Sequence, residues 1–275
     1  MGKSYKLLPM KPERDSPILM GILNTTPDSF YDRGRFNSVD KALAHARQMA
    51  AEGVDLIDIG GASSHPNAAL VTEEEELART IPLIEMLRSE LSVPLSIDTT
   101  NPRVAAEAVA KGARFINDVT GFTNPAMQDL AASLNVDLCV MHNCKRDRAM
   151  VNPKGIVDEV MTYFEKQIAT LTARGIDACR LILDPGIGFG GKAIEESLEL
   201  IRATARFKTL GLRVMIGASR KGFLQKLTKR KPEETLPATL AVHSLALYGG
   251  ADILRIHDVK EHRDLIATLL YLLKN

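Results

Sequence analysis

The stretch 94–122, PLSIDTTNPRVAAEAVAKGARFINDVTGF, decides the fold. It opens on a short strand-like run, 94–99, that closes with Asp98 in its last turn of chain. Asn101 and Pro102 then form a helix start, an N-cap followed by a proline whose missing N–H is not needed there. An alanine-rich segment follows and stops at Gly112. A second strand-like run, 114–120, carries Asn117 near its end. Two strands joined by a helix run parallel, and parallel strands covered on both faces are apolar on consecutive positions, as these are.

The same unit recurs on either side. Strand candidates lie at 18–24, 55–61, 137–142, 181–186, 213–219 and 252–257. Helical patterns fill the gaps, including 38–53 with Ser38 as N-cap, 72–91 with a Thr72/Glu75 capping box, and 153–175. The strand-closing residues run from Asn24 to His257 and recur on average about every 33 residues, the size of a βα unit. A helical solenoid has such a period too, but β-rich runs separate these helices and no repeat signature recurs. A (β/α)8 barrel and an open doubly wound sheet remain. The chain of 275 residues is close to barrel size, and no G-x-G-x-x-G follows the first strand. The expectation is α/β, a single-domain (β/α)8 TIM barrel over 18–275 after an N-terminal extension, 1–17.

Composition narrows the function. A net charge of +1 gives no electrostatic case for nucleic acid or an anionic membrane as partner. Three cysteines fit a reducing cytoplasm better than a disulfide framework, and Cys139 reads as core. No apolar run is long enough for a membrane span or a signal peptide.

Nearly every strand closes on a polar side chain: Asn24, Asp58, Asp98, Asn117, His142, Asp184, Ser219, Arg255 and His257. In a barrel these ends converge at one mouth, where active sites sit. Asp98, Asn117 and Asp184 together offer the donors and acceptors that read the edge of a flat, nitrogen-rich heterocycle. Arg255 and His257 share a strand face, and with Lys221 they suggest an anion site near strands seven and eight. Asn24 and the carboxylates suit a hard cation such as Mg2+. Cations at 220–221 oppose the dipole of the helix they precede. His45 and His243 are expected to be structural or surface residues, His262 to be exposed, and the glutamates 73–76 to be a solvated helix start.

Seven motifs in order, GILNTTPDSF, DIGGASSHP, SIDT, FINDVTGF, LDPGIGFG, GASRKGF and RIHDV, resemble the dihydropteroate synthase family over 18–273. That resemblance implies a TIM barrel, usually a homodimer. It also implies Mg2+-assisted joining of a dihydropterin pyrophosphate to p-aminobenzoate, with 7,8-dihydropteroate and pyrophosphate as products. Position by position it implies pterin contacts from Asp98, Asn117, Met141, Asp184, Phe189, Lys221 and Arg255. It implies pyrophosphate contacts from Asn24, His65, Arg255 and His257, with Asn24 also supporting the metal. Phe30, Ser64, Pro66, Ser219 and Lys221 fall where p-aminobenzoate docks, and Asp32 lies in the first loop. Lys221, Asp98, Asp184, Arg255 and His257 are the residues expected to carry the chemistry, with Asp58 as structural support. A non-catalytic pterin-binding paralogue and a pterin-dependent methyltransferase barrel share parts of this pattern.

The sequence departs from the family in three places. Ala62-Ser63-Ser64-His65-Pro66-Asn67 stands where Glu-Ser-Thr-Arg-Pro-Gly is usual, Gly222 where Ser usually follows S-R-K, and MHNCKRDRAM lacks the usual glycine and proline. All three lie toward the second substrate and resemble the sulfonamide-insensitive branch.

Overall fold

The structure, a computed structural model, describes residues 16–25, 35–62, 71–143 and 154–273. Eight parallel strands close into a barrel in chain order. They are β1 (Ile18–Asn24), β2 (Leu56–Gly60), β3 (Leu95–Asp98), β4 (Phe115–Asp118), β5 (Asp137–Met141), β6 (Leu181–Asp184), β7 (Arg213–Ile216) and β8 (Ile253–Ile256). Helices alternate with them: α1 (Arg35–Ala51), α2 (Glu73–Glu90), α3 (Pro102–Ala110), α4 (Pro125–Ser133), α5 (Ile156–Ala173), α6 (Ile194–Arg202), α7 (Thr204–Lys208), α8 (Gly222–Thr228), α9 (Leu236–Tyr248) and α10 (Val259–Leu273). Each expected strand is present, and most end one to three residues early. Thr99, His142, Ser219 and His257 lie past the ladder: Thr99 Oγ1 accepts from Asn101 N, Ser219 bonds His257, and His142 Nε2 lies 3.6 Å from Glu159 of α5.

The helix starts follow local chemistry. Asn101 Oδ1 accepts from Arg103 N at 2.9 Å, and Thr72 and Glu75 form the reciprocal box at 2.9 and 3.3 Å. Helix α1 begins at Arg35, a turn before the expected Ser38, because no proline or glycine at 35–37 stops it. The glutamate run is also only partly solvated. Glu76 is buried at 7% exposure against Gly61, while Glu73 pairs with Arg103.

The period of two along each strand sorts side chains into layers. Outward residues such as Leu23, Ile59, Ile97, Ile116 and Leu183 pack under the helices. Inward, Ile18, Met20, Leu56, Phe115, Cys139, Ile182, Met215 and Ile253 fill the barrel. Below that layer the buried Arg213–Asp137 ion pair closes the N-terminal end. Above it the inward positions Asp58, Ser96, Asp98, Asn117, Asp184 and Arg255 are polar. An apolar side chain gains about 1.5–3 kcal/mol on burial, whereas a buried charge costs several kcal/mol unless it is paired. The polar upper layer therefore calls for a reason other than stability. Among the described residues no helix is long and apolar enough to cross a membrane.

Candidate active site

Strand register assembles the polar layer. Asp98 stands beside Asn117 across β3–β4, Gly60 beside Asp98 across β2–β3, and Met141 beside Asp184 across β5–β6. Arg255 spans the barrel from β8. Its Nε donates to Asp58 Oδ2 at 2.7 Å and its Nη2 to Asp98 Oδ2 at 2.7 Å. Asp58 is fully buried and takes two more bonds, from Asn117 Nδ2 at 3.0 Å and from Ser96 Oγ at 2.5 Å. Asp58 is thus the hub that orients both Arg255 and Asn117. Its expected supporting role holds, and Ser96, which the sequence did not single out, belongs with it. The signal was present: Ser96 and Asp98 alternate on one face of β3.

With its amide donating to Asp58, Asn117 presents Oδ1, a buried acceptor that no described residue satisfies. Buried polar atoms are almost always paired, so such an atom marks the place of a ligand donor.

The electrostatics of the ring are set by burial. Burial, partly offset by Arg255 and reinforced by the nearby Asp58, raises Asp98 to about 7. Burial likewise raises Asp184, against the opposing pull of Lys221. Asp184 Oδ1 also accepts from Gly186 N at 2.8 Å. Lys221 is lowered to about 7 by burial, with Asp184 acting the other way. Its Nζ donates to Ile187 O at 2.6 Å and lies 4.0 Å from the centre of the Phe189 ring. Phe189 and Lys221, from different loops, therefore form one wall. Gly186 is required in that loop: its φ is 66°, and a Cβ there would lie 2.0 Å from His142 O. Lys192 Nζ ties the same loop down through His142 O and Phe189 O, both at 3.1 Å.

The basic turn after β7 divides in two. Arg220, in the left-handed region at φ 56°, turns aside to pair with Asp258, while Lys221 faces the ring. Ser219 is buried and bonded to His257 Nδ1 at 2.9 Å. Ser219 Oγ also accepts from His257 N at 3.3 Å, so one hydroxyl holds both the ring and the backbone of His257. Burial, with Arg220 and Arg255 nearby, lowers His257 to about 4, so the ring is neutral at physiological pH.

Asn24 ends β1 with an exposed side chain. Its Oδ1 faces the same space above Gly60 as Asp98: a Cβ on Gly60 would lie 3.4 Å from Asn24 Oδ1 and 3.8 Å from Asp98 Oδ2. Among the described residues no cluster of three His, Cys, Asp or Glu could hold a metal alone. One amide oxygen with a neighbouring carboxylate still fits Mg2+, which is commonly held by one or two protein oxygens plus substrate phosphates. Phe30, Asp32, Ser64, His65 and Pro66 lie outside the described residues. One expectation about a histidine needs correction: His262 is fully buried because it packs on His243 of α9.

A closed barrel carrying a heterocycle-reading ring beside a cationic corner defines a class. The family model described as pterin binding enzyme matches residues 20–257, and the chain belongs to that family. Within it, the dihydropteroate synthase of Bacillus subtilis (strain 168) is 41% identical over 249 residues, covering 90% of this chain and 86% of that one. The solved Xanthomonas albilineans dihydropteroate synthase with 4-aminobenzoic acid is 40% identical, with a TM-score of 0.89 over 95% of this chain and 94% of that one. The Clostridium difficile dihydropteroate synthase solved in the presence of pteroic acid is 36% identical, with a TM-score of 0.89 over 95% and 98%.

Proposed function

We infer that this chain is a dihydropteroate synthase, a transferase that joins 6-hydroxymethyl-7,8-dihydropterin pyrophosphate to p-aminobenzoate in folate biosynthesis. The observation that carries the reading is the unsatisfied Asn117 Oδ1 set among Asp98, Asp184 and Arg255. A pterin edge supplies the N–H donors that such acceptors need. Met141 and Phe189 supply apolar walls, as the ring faces require.

The geometry supports an SN1-like order. The C–O bond to pyrophosphate breaks first, and its electron pair leaves with the anion. Positive charge on the methylene spreads into the electron-rich ring, where Asp98 and Asp184 favour it. Arg255 and His257 are assigned to the departing anion, with Asn24 and the undescribed His65 beside them. Asn24 and the substrate would hold Mg2+, which neutralises developing negative charge. The arylamine nitrogen of p-aminobenzoate then forms the C–N bond and releases a proton. Ser219 and Lys221 line its approach in this assignment, with Phe30, Ser64 and Pro66 from the two outer loops.

A cytoplasmic homodimer is the expected form. The altered 62–67 loop leaves the pterin ring intact, and we assign to it a reduced sensitivity to sulfonamides. A sulfamethoxazole inhibition constant equal to that of a sensitive enzyme overturns that assignment. The activity itself is tested by incubating the protein with the pterin pyrophosphate, p-aminobenzoate and Mg2+. Pyrophosphate release that depends on p-aminobenzoate is expected. Multiple-turnover release without it would indicate a hydrolase, and no release with both substrates a non-catalytic paralogue.

A further inference from the structure

Behind the Ser219–His257 corner lies a chain of buried hydrogen bonds. Ala218 N donates to His243 Nε2 at 3.2 Å. His243 Nδ1 meets His262 Nε2 at 2.8 Å, and His262 Nδ1 meets Asp258 O at 2.6 Å. Both rings are fully buried. The two ends fix its polarity, because a backbone N–H only donates and a carbonyl only accepts. His243 must therefore be neutral with its proton on Nδ1, and His262 neutral with its proton on Nδ1 as well. Any other protonation state sets two donors or two lone pairs against each other.

The relay joins two loops. Ala218 precedes Ser219 and Lys221 after β7, and Asp258 follows His257 after β8. Thr239, one turn before His243 on α9, accepts from Arg220 N at 3.3 Å, so one face of α9 grips this loop twice. The Arg220–Asp258 ion pair then ties the loops directly.

We propose that His243 and His262 are positioning residues: a proton-ordered relay that fixes the Ser219 and Lys221 loop against the His257 loop. The inference rests on the dihydropteroate synthase reading only for what those loops do, since the proton order follows from the hydrogen bonds alone. His243 faces His262 and Lys221, and His262 faces Asp258 and Glu261. Burial lowers both histidines, which agrees with two neutral rings.

The relay is tested on the full-length protein by nitrogen-15 NMR of the imidazoles. Both rings should show the Nδ1–H tautomer and titrate below the usual histidine value, as their burial requires. The opposite tautomer in either ring, or ordinary titration near 6.5, overturns the relay whatever the activity. The positioning role is tested with His262→Leu and His262→Gln, since glutamine can accept from His243 and leucine cannot. His262→Leu should lower kcat about tenfold and weaken pyrophosphate inhibition severalfold, as loss of one buried hydrogen bond predicts. Affinity for a pterin lacking pyrophosphate should stay within about twofold, because Asp98, Asn117 and Asp184 lie on other strands. His262→Gln should recover most of the kcat. Equal losses of pterin and pyrophosphate affinity, or no difference between the two variants, would indicate a structural role and overturn the proposal. Should the wild-type protein make no dihydropteroate, the NMR result stands and only the functional reading fails.

Discussion

Asp58→Asn removes one charge from the centre of the site and changes almost no volume. Asp58 accepts three side-chain bonds, from Arg255, Asn117 and Ser96, at 2.7, 3.0 and 2.5 Å. An asparagine keeps one acceptor oxygen and turns an amide donor toward other donors. Breaking a buried ion pair by removing one partner costs about 3–5 kcal/mol. Arg255 keeps its second bond, to Asp98, so the lower end applies, about 3 kcal/mol. That is a large part of the 5–15 kcal/mol that holds a typical domain. The charge change also acts on Asp98. Asp58 is one of the groups that raises it, so the variant's Asp98 should ionise below its present value of about 7. Urea unfolding followed by circular dichroism measures the first effect, and kcat/KM against pH measures the second. We expect a midpoint shift equivalent to about 3 kcal/mol, kcat/KM lower by at least about tenfold, and the acid limb moved to lower pH. A stability loss under about 1 kcal/mol together with kcat/KM within about twofold of wild type would refute the hub.

Lys221→Ala should lower kcat/KM by about a hundredfold or more, and a normal rate of dihydropteroate formation would remove Lys221 from the site. Since its folded value is depressed to about 7, the unfolded chain binds the extra proton between there and the ordinary lysine value. Ligand-free stability therefore gains from this residue as pH rises through that window, and the variant should lose that part of the pH dependence of Tm. Asp98 titrates in the free protein near 7, so kcat/KM should fall as pH drops through that value, where the protonated carboxyl loses its charge toward Arg255 and the pterin. A profile flat from about pH 5.5 to 8 contradicts this, and Asp98→Asn should abolish the limb along with most of the activity. Gly186→Ala forces a Cβ to 2.0 Å from His142 O at φ 66° and should lower Tm by several degrees and raise the pterin KM, because Phe189 rides on the same loop. Gly222→Ser, by contrast, meets nothing within 4 Å and should leave stability within about 0.5 kcal/mol.

Strand content and barrel class were legible because consecutive apolar positions in short runs have few other physical solutions. The polar strand ends were legible for the same reason. A carboxylate or amide in such a run is anomalous against its own neighbours, and Asp98, Asn117 and Asp184 each stood out that way. Boundaries were less so. Where α1 begins was decided by the absence of a stop signal rather than by Ser38.

Partners across the barrel were not in the sequence. Arg255 reaches residues 157 and 197 positions away, and no local pattern encodes which carboxylates it finds. Spacing could not tell Arg220 from Lys221, because the left-handed backbone at Arg220 and the position of Asp258 decide which cation faces the ring. His262 looked like one more surface residue on a C-terminal helix, and only the packing of α10 on α9 turned it inward toward His243. The sequence by itself determined which residues have no place in an apolar barrel. Closure of the barrel, which brings eight strand ends to one mouth, decided which of them share a proton, a charge or a ligand.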